Sequence, residues 1–221
     1  MVTHSTIDLF GYSFHSKTYN FCKLDNKALE EIYQLRKESF IDRRKWDIKS
    51  YTGGDLERDE YDDEDSYYTC LYHNGQLAGC LRARPFYSTN MIAGCLNHMF
   101  PLVDLESYRS SLYWEASRFT ITRKPKIISS NLDIRTVALF MAMLDFSCLA
   151  GFSHYLIVVD ELMLRILRRA GWDCKILDVS FGSKGEKIYL GDLLSNGEVK
   201  ERLQNKSKFM SADSKSTDLA C

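Results

Sequence analysis

The period of the hydrophobic pattern changes several times along the chain, and each change marks an element. After Asp25, the apolar positions Leu29, Ile32, Tyr33 and Leu35 recur at helical spacing, and the Asp25 carboxylate can accept one of the orphan amide bonds at the start of that run. This predicts a helix over about 26–40, with Arg36 and Phe40 one turn apart on a shared face. Two strand-like runs, SYYTCLYH and QLAGCLRAR, flank Asn74-Gly75, the dipeptide type that best tolerates the positive φ angles of a tight hairpin. MIAGCLNHMF predicts a short helix from Met91 to about Met99. SLYWEASRFTIT, from Ser111 to Thr122, is rich in aromatic and β-branched residues and reads as a long strand.

The second half alternates. LDIRTVALFMAMLDFSCLAG carries apolar residues at 137, 140, 141, 144 and 148, with Ser130 and Asp133 as a capping pair and Gly151 as its stop. HYLIVV then reads as a buried strand, and Asp160 caps a helix, ELMLRILRRA, that Gly171 closes. DCKILDV and EKIYLGDL complete the set as strands. Hairpin strands followed by strand, helix, strand, helix and strand predict an α/β (α+β sandwich) architecture, a mixed sheet covered by helices rather than a doubly wound one. A single domain is expected over 1–205, with a polar, frayed C-terminal tail at 206–221.

Composition narrows the class. In 221 residues, 45% are hydrophobic and only three are proline, enough for one sizeable core. Twenty-nine basic residues against 30 acidic ones leave a formal charge of -1, so no global field draws the molecule to nucleic acid or an anionic membrane. Seven cysteines with no CxxC spacing suggest reduced thiols and exclude a zinc or redox motif. MVTHSTIDLFGYSF lacks a signal-peptide pattern and TVALFMAML is too short to span a bilayer, so a soluble, cytoplasmic protein is expected.

The common chemical signatures fail. The acidic run DLERDEYDDED has Glu60 where a calcium loop needs glycine and Ser66 where it needs a bidentate Glu. No phosphate loop, GxGxxG, HExxH or GxSxG is present, and neither metal nor cofactor is expected.

What remains is an ordered set: LRKESFIDRRKWDI, LERDEYD, GCLRARP, the MF of HMFP, and YWEASRF. Each alone reads as ordinary surface charge. In this order and spacing they resemble the acyl-homoserine-lactone synthases, the LuxI-type autoinducer synthases, over about residues 30–175 and on into LRRAGW. YWEASRF matches the family's E-x-SRF strand, and ERDEYD its E-x-D-x-[FY]-D element. The chain departs from the family's RLLPT, reading RARPF, so that Arg84 is an added charge and Phe86 replaces a threonine.

The resemblance implies an N-acetyltransferase-like (GNAT-like) fold with a splayed sheet and a V-shaped cleft. It implies transfer of an acyl chain from acyl-acyl-carrier protein to the amine of S-adenosylmethionine, a substrate rather than a cofactor, then lactone closure and release of methylthioadenosine. Arg36, Phe40, Trp46, Asp59, Asp62, Arg82 and Phe100 then form the S-adenosylmethionine pocket. The carboxylates serve the cationic side of the ligand or fix the arginines, the aromatics wall the pocket, and one of Arg36, Arg82 and Arg118 meets the ligand carboxylate. A purely structural ion-pair network is the competing reading of this group.

Glu115 and Arg118 are the catalytic candidates, with Glu115 as base. On a regular strand they point to opposite faces, so a shared role requires a bulge or twist between them. Phe140, Met141, Leu144 and Ile157 are acyl-pocket candidates or plain core. Arg165, Arg168 and Arg169, opposite an apolar row of Leu162, Ile166 and Ala170, form a cationic patch for an acidic carrier protein, or equally complement the helix dipole. Residues 119–135 contain no glycine, which argues against a backbone cradle for the pyrophosphate of CoA. Alternatives are an N-acetyltransferase acting on another amine and an inactive S-adenosylmethionine-binding module.

Overall fold

The computed structural model describes residues 2–123, 126–129 and 132–206. Eight strands form one sheet in the order β1-β2-β3-β4-β5-β8-β10-β9. The strands are β1 (Val2–Leu9), β2 (Tyr12–Asn20), β3 (Tyr67–His73), β4 (Gln76–Pro85), β5 (Tyr113–Ile121), β8 (His154–Asp160), β9 (Lys175–Phe181) and β10 (Lys187–Leu194); β6 (Ile128–Ser129) and β7 (Leu132–Asp133) form a separate small pair. Every neighbouring pair in the large sheet is antiparallel except β5 and β8.

The helices with both ends among the described residues are α1 (Asn26–Lys37), α2 (Ile134–Ala150) and α3 (Glu161–Ala170). They cover opposite faces because side chains alternate along each strand. Leu71, Leu81 and Ala83 join α2 and α3 in the main core, whereas Tyr68, Cys70 and Cys80 pack with Ile32, Tyr33 and Leu35 of α1. Beyond α1 the second face is finished by residues of the 86–108 segment, where Phe86, Ile92, Phe100 and Leu105 pack on Leu156 and Leu190.

Local chemistry explains most boundaries. Asp25, Asp133 and Asp160 cap their helices through amides of Ala28, Arg135 and Met163, and Gly151 and Gly171 end α2 and α3 at φ 78° and 97°. Asn74 and Gly75 both have positive φ, as the hairpin between β3 and β4 requires. The Ser130 half of the expected α2 cap lies outside the described residues, as do 207–221.

Several expectations are corrected. The first helix does not run regularly to 40: α1 ends at Lys37 and passes into a π-helical turn, Glu38–Arg43, that buries Ser39 and Phe40. The 91–99 segment is a chain of turns with only a short 3-10 helix at Asn97–Met99, because the Cys95 amide donates to the Tyr61 hydroxyl instead of to a helical carbonyl. The β1–β2 hairpin adds two strands that the hydrophobic pattern did not announce, since two inward residues of β2 are Ser16 and Thr18. Residues 197–206 are helical, where no element was expected. On α3 the packed residues include Leu167 and Ala170, while Leu162 is half exposed on the arginine side.

Two irregularities in the sheet position the site. First, β5 and β8 pair over only four residues, Tyr113↔His154 to Ala116↔Ile157, and diverge beyond them. Second, Cys80 pairs with Thr120 but Arg82 pairs with Ser117, so β5 carries one residue more than β4 across this stretch. The extra residue is accommodated at Arg118, whose φ is +56°, a conformation that costs a non-glycine residue about 1–3 kcal/mol. The strand thus bulges between Glu115 and Arg118.

Candidate active site

Where β5 and β8 part, a cleft of about 2000 Å³ opens. The splay lets this space pass through the sheet, so it is lined from both faces: by Glu115, Ser117 and Arg118 on one side and by Ala116, Phe119, Phe140, Met143 and Ile157 on the other. Part of its rim comes from residues 46–56, and from Ser180 to Lys184 across the opening. Two contacts bridge the rim, Arg44 to Asp160 at 3.0 Å and the Lys184 Nζ to the Lys45 carbonyl at 2.8 Å.

The polar wall is an interlocked charge cluster. Arg36 donates from Nε to Glu57 at 2.5 Å and from Nη1 to Asp62 at 2.7 Å. Arg82 Nη1 reaches Asp59 at 2.5 Å and Asp62 at 2.7 Å. Arg118 Nη2 lies 2.6 Å from Asp59 and 3.1 Å from Glu57, and Tyr68 donates its hydroxyl to Asp62. The side chains of Arg36, Arg82 and Glu57 are wholly buried. Such a cluster is tolerable in a low-dielectric interior only because three guanidiniums meet three carboxylates with close hydrogen bonds.

The pKa shifts follow from this geometry. Burial alone would raise Asp59 and Asp62, but Arg82 and Arg118 beside the first, and Arg36 and Arg82 beside the second, hold both below the usual carboxylate range. Arg36 and Arg82 are raised against burial by their carboxylates. Arg118 is lowered, by burial and by the neighbouring Arg36 charge, and its Nε is buried without a hydrogen-bond partner among the described residues. It is the least compensated cation of the three, and it lines the cleft.

Glu115 is only 1% exposed. Its Oε2 accepts the Ile92 amide at 2.8 Å, while Oε1 is buried without a hydrogen-bond partner among the described residues. Burial raises its pKa, opposed by the Arg82 guanidinium, the Ile92 amide and the nearby Ser117 hydroxyl. An acceptor held firmly at one oxygen, with the other facing at most the Ser117 hydroxyl and with a raised pKa, suits proton abstraction in a closed site.

The structure sorts the sequence-derived residues. Phe40, Trp46, Asp59, Asp62, Glu115, Arg118, Phe140 and Ile157 line the cleft, and Phe40 and Trp46 stack at 5.3 Å with planes 2° apart. Arg36 and Arg82 stand behind the lining and fix its carboxylates. Phe100 is corrected: it is fully buried in the cluster with Phe86 and Leu156 and does not line the cleft. Met141 and Leu144 are corrected likewise and belong to the main core. Because α2 is apolar on nearly every side, periodicity could not tell its cleft face, Phe140 and Met143, from the rest.

Glu57, which the acidic motif left without a role, is a full member of the cluster. Asp63 is not simply solvated, since it pairs with the fully buried Arg84. Met91 was missed: its sulfur touches Arg82 at 3.1 Å and Arg118 at 3.3 Å, and nothing in an isolated methionine signals this. Arg165, Arg168 and Arg169 are exposed on α3. Among the described residues no group of His, Cys, Asp and Glu could hold a metal ion, and no helix is long and apolar enough to cross a membrane.

Comparison with known proteins fits this geometry. The fold is shared with the AHL synthase LasI (TM-score 0.74, 22% identity, covering 87% of this chain and 95% of that one). It is also shared with the CoA-dependent acyl-homoserine lactone synthase BjaI (TM-score 0.73, 18% identity, 86% and 88%). More distantly it matches a putative N-acetyltransferase from Lactobacillus plantarum (TM-score 0.55, 14% identity, 83% and 99%), which identifies the sheet as N-acetyltransferase-like. The acyl-homoserine-lactone synthase of Pantoea stewartii subsp. stewartii is 30% identical over 199 residues, 89% of this chain and 88% of the relative. Residues 20–203 match the autoinducer synthase family model, a span that holds the whole charge cluster, the bulged strand and the apolar chamber, and the chain belongs to that family, the acyltransferases known as acyl-homoserine-lactone synthases.

Proposed function

We propose that the chain makes an N-acyl-homoserine lactone, a diffusible quorum-sensing signal, from S-adenosylmethionine and an acyl-acyl-carrier protein in the cytoplasm. The observation that carries this reading is Glu115, a buried carboxylate with one free oxygen, placed where a charged, aromatic wall meets an apolar chamber. Glu115 takes a proton from the substrate ammonium, directly or through water. The freed amine attacks the thioester carbonyl, the carbon–sulfur bond of the thioester breaks, and the carrier thiol leaves as the amide forms. The substrate carboxylate then attacks the carbon beside the sulfonium. That carbon–sulfur bond breaks, closing the lactone and releasing methylthioadenosine, a step that depends on positioning.

Arg118, with its unpartnered Nε, holds the substrate carboxylate, while Asp59 and Asp62 set the arginines and face the cationic side. The stacked Phe40 and Trp46 offer aromatic surface to the sulfonium. Phe119, Phe140, Met143 and Ile157 receive the acyl chain. In support of a carrier-protein donor, the start of α2 is already occupied: the Asp133 carboxylate caps it and is bound in turn by Arg135 at 2.5 Å and 2.9 Å. The Asp133 cap takes up an amide donor at the helix end where N-acetyltransferases seat a pyrophosphate.

Purified protein given S-adenosylmethionine and a panel of acyl-carrier proteins and acyl-CoAs should yield lactone and methylthioadenosine by mass spectrometry, with the carrier-bound chain preferred. Product from acyl-CoA alone would overturn the donor, and no product from either would overturn the reaction. Replacing Arg165, Arg168 and Arg169 with alanine should raise the apparent KM for acyl-carrier protein several-fold at low salt, and less at high salt, without moving that for S-adenosylmethionine. An unchanged KM would leave the three arginines only a helix-dipole role.

A further inference from the structure

Arg84 stands where the family resemblance gives leucine, and it is wholly buried. A leucine would fill such a site without the desolvation cost of a cation, so the charge needs an account. Its guanidinium reaches two segments that have no regular hydrogen-bond ladder of their own. On one side it donates to the Tyr61 carbonyl at 2.6 Å, to Ser66 Oγ at 2.8 Å and to the Asp63 carboxylate. On the other it donates to the Thr89 carbonyl at 2.8 Å and to Thr89 Oγ1 at 3.3 Å. Tyr61 adds a second tie, its hydroxyl accepting the Cys95 amide at 3.2 Å. Gly94 leaves room for that hydroxyl, since a Cβ there would lie 2.4 Å from it.

The two segments carry the two halves of the polar site. Residues 59–66 bring Asp59 and Asp62. Residues 89–95 bring Met91, whose sulfur lies against Arg82 and Arg118, and Ile92, whose amide holds Glu115. We propose that Arg84 is a positioning residue that fastens these segments to each other, so that the acidic pair and the support of Glu115 are set as one unit before substrate arrives. The inference rests on the proposed reaction for its kinetic readouts but not for its structural one.

Arg84 also faces Glu115 directly across the β4–β5 ladder, and it is one of the cations, with Arg82, that oppose the effect of burial on that carboxyl. This separates charge from geometry. Arg84→Leu should raise the KM for S-adenosylmethionine roughly ten- to a hundred-fold, the range for losing hydrogen bonds to a charged group, and should move the acid limb of the kcat/KM profile to higher pH. Arg84→Lys should restore the limb, because the charge returns. It should not restore KM, because an ammonium cannot reproduce the planar fork.

Amide hydrogen exchange should show residues 59–66 and 89–95 losing protection together in Arg84→Leu while β3 and β4 keep theirs. Asp63→Asn, which removes only an outer partner, should give a smaller change of the same kind if Arg84→Leu does not fold. Wild-type exchange in both segments, or loss confined to one, overturns the proposal. So does an unchanged KM and pH limb in an Arg84→Leu enzyme that turns over. If the wild-type protein makes no lactone from any donor, the reaction is wrong, and the coupled exchange still decides the role of Arg84.

Discussion

Glu115→Gln should lower the rate of lactone formation by a factor of about 10²–10⁴, the usual contribution of a positioned general base, without lowering thermal stability. The substitution keeps shape and keeps an acceptor for the Ile92 amide, so the lost function is proton acceptance at the free oxygen. The stability sign follows from the direction of the shift. A carboxyl whose folded-state pKa is raised contributes stability that is fully present below the unfolded value, about 4.3, and is lost as pH rises through the raised folded value. At neutral pH the ionised Glu115 therefore burdens the fold, and Gln should be as stable as wild type or more so. Wild-type kcat/KM should climb as pH rises through the raised pKa, and the residual rate of the variant should not. Near-normal turnover in Glu115→Gln would remove it as the base.

Arg36→Leu should cost about 3–5 kcal/mol of folding stability, the range for removing one partner from a buried ion pair, read from denaturant midpoints. It leaves Glu57 with only Arg118, and Asp62 with only Arg82 among its cations. The pH dependence adds a signature. Asp59 and Asp62 are depressed, so their contribution is present above the unfolded pKa, about 3.9, and is lost as pH falls through the lower folded values. The variant should therefore lose less stability on acidification than wild type. A loss below about 1 kcal/mol, in the range of exposed pairs, would show that the cluster is not a stability element.

These two expectations concern residues that the sequence made legible, and for a physical reason. Arg36, Asp59, Asp62, Arg82, Glu115 and Arg118 are legible as an ordered set rather than singly, and Arg82 and Glu115 also stand in apolar runs, GCLRAR and YWEASRF, where an unpaired charge is costly. Capped helices and the Asn74-Gly75 hairpin were legible because their chemistry is local. What was not legible depended on tertiary choice. Phe100, Met141 and Leu144 are apolar residues whose side of the cleft only packing decides. The 91–99 segment is not the helix its composition predicts because a remote hydroxyl, that of Tyr61, claims the Cys95 amide. Glu57 and Arg84 were undervalued for a related reason: a charge's partner can lie 21 residues away, as Glu57 lies from Arg36, and spacing does not reveal it.

The bulge at Arg118 has a consequence for how β5 encodes its two faces. Before it, Trp114 and Ala116 face the main core; after it, Phe119 and Ile121 do, so the strand changes from an even to an odd reading frame at one residue. Glu115 and Arg118 can share the cleft only because the frame slips between them. Deleting Ser117 would make the ladder regular and keep both Glu115 and Arg118, yet it would send one of the pair to the wrong face. The defect in the sheet is thus part of the information that specifies the candidate site, and repairing it should part the two residues proposed to work there.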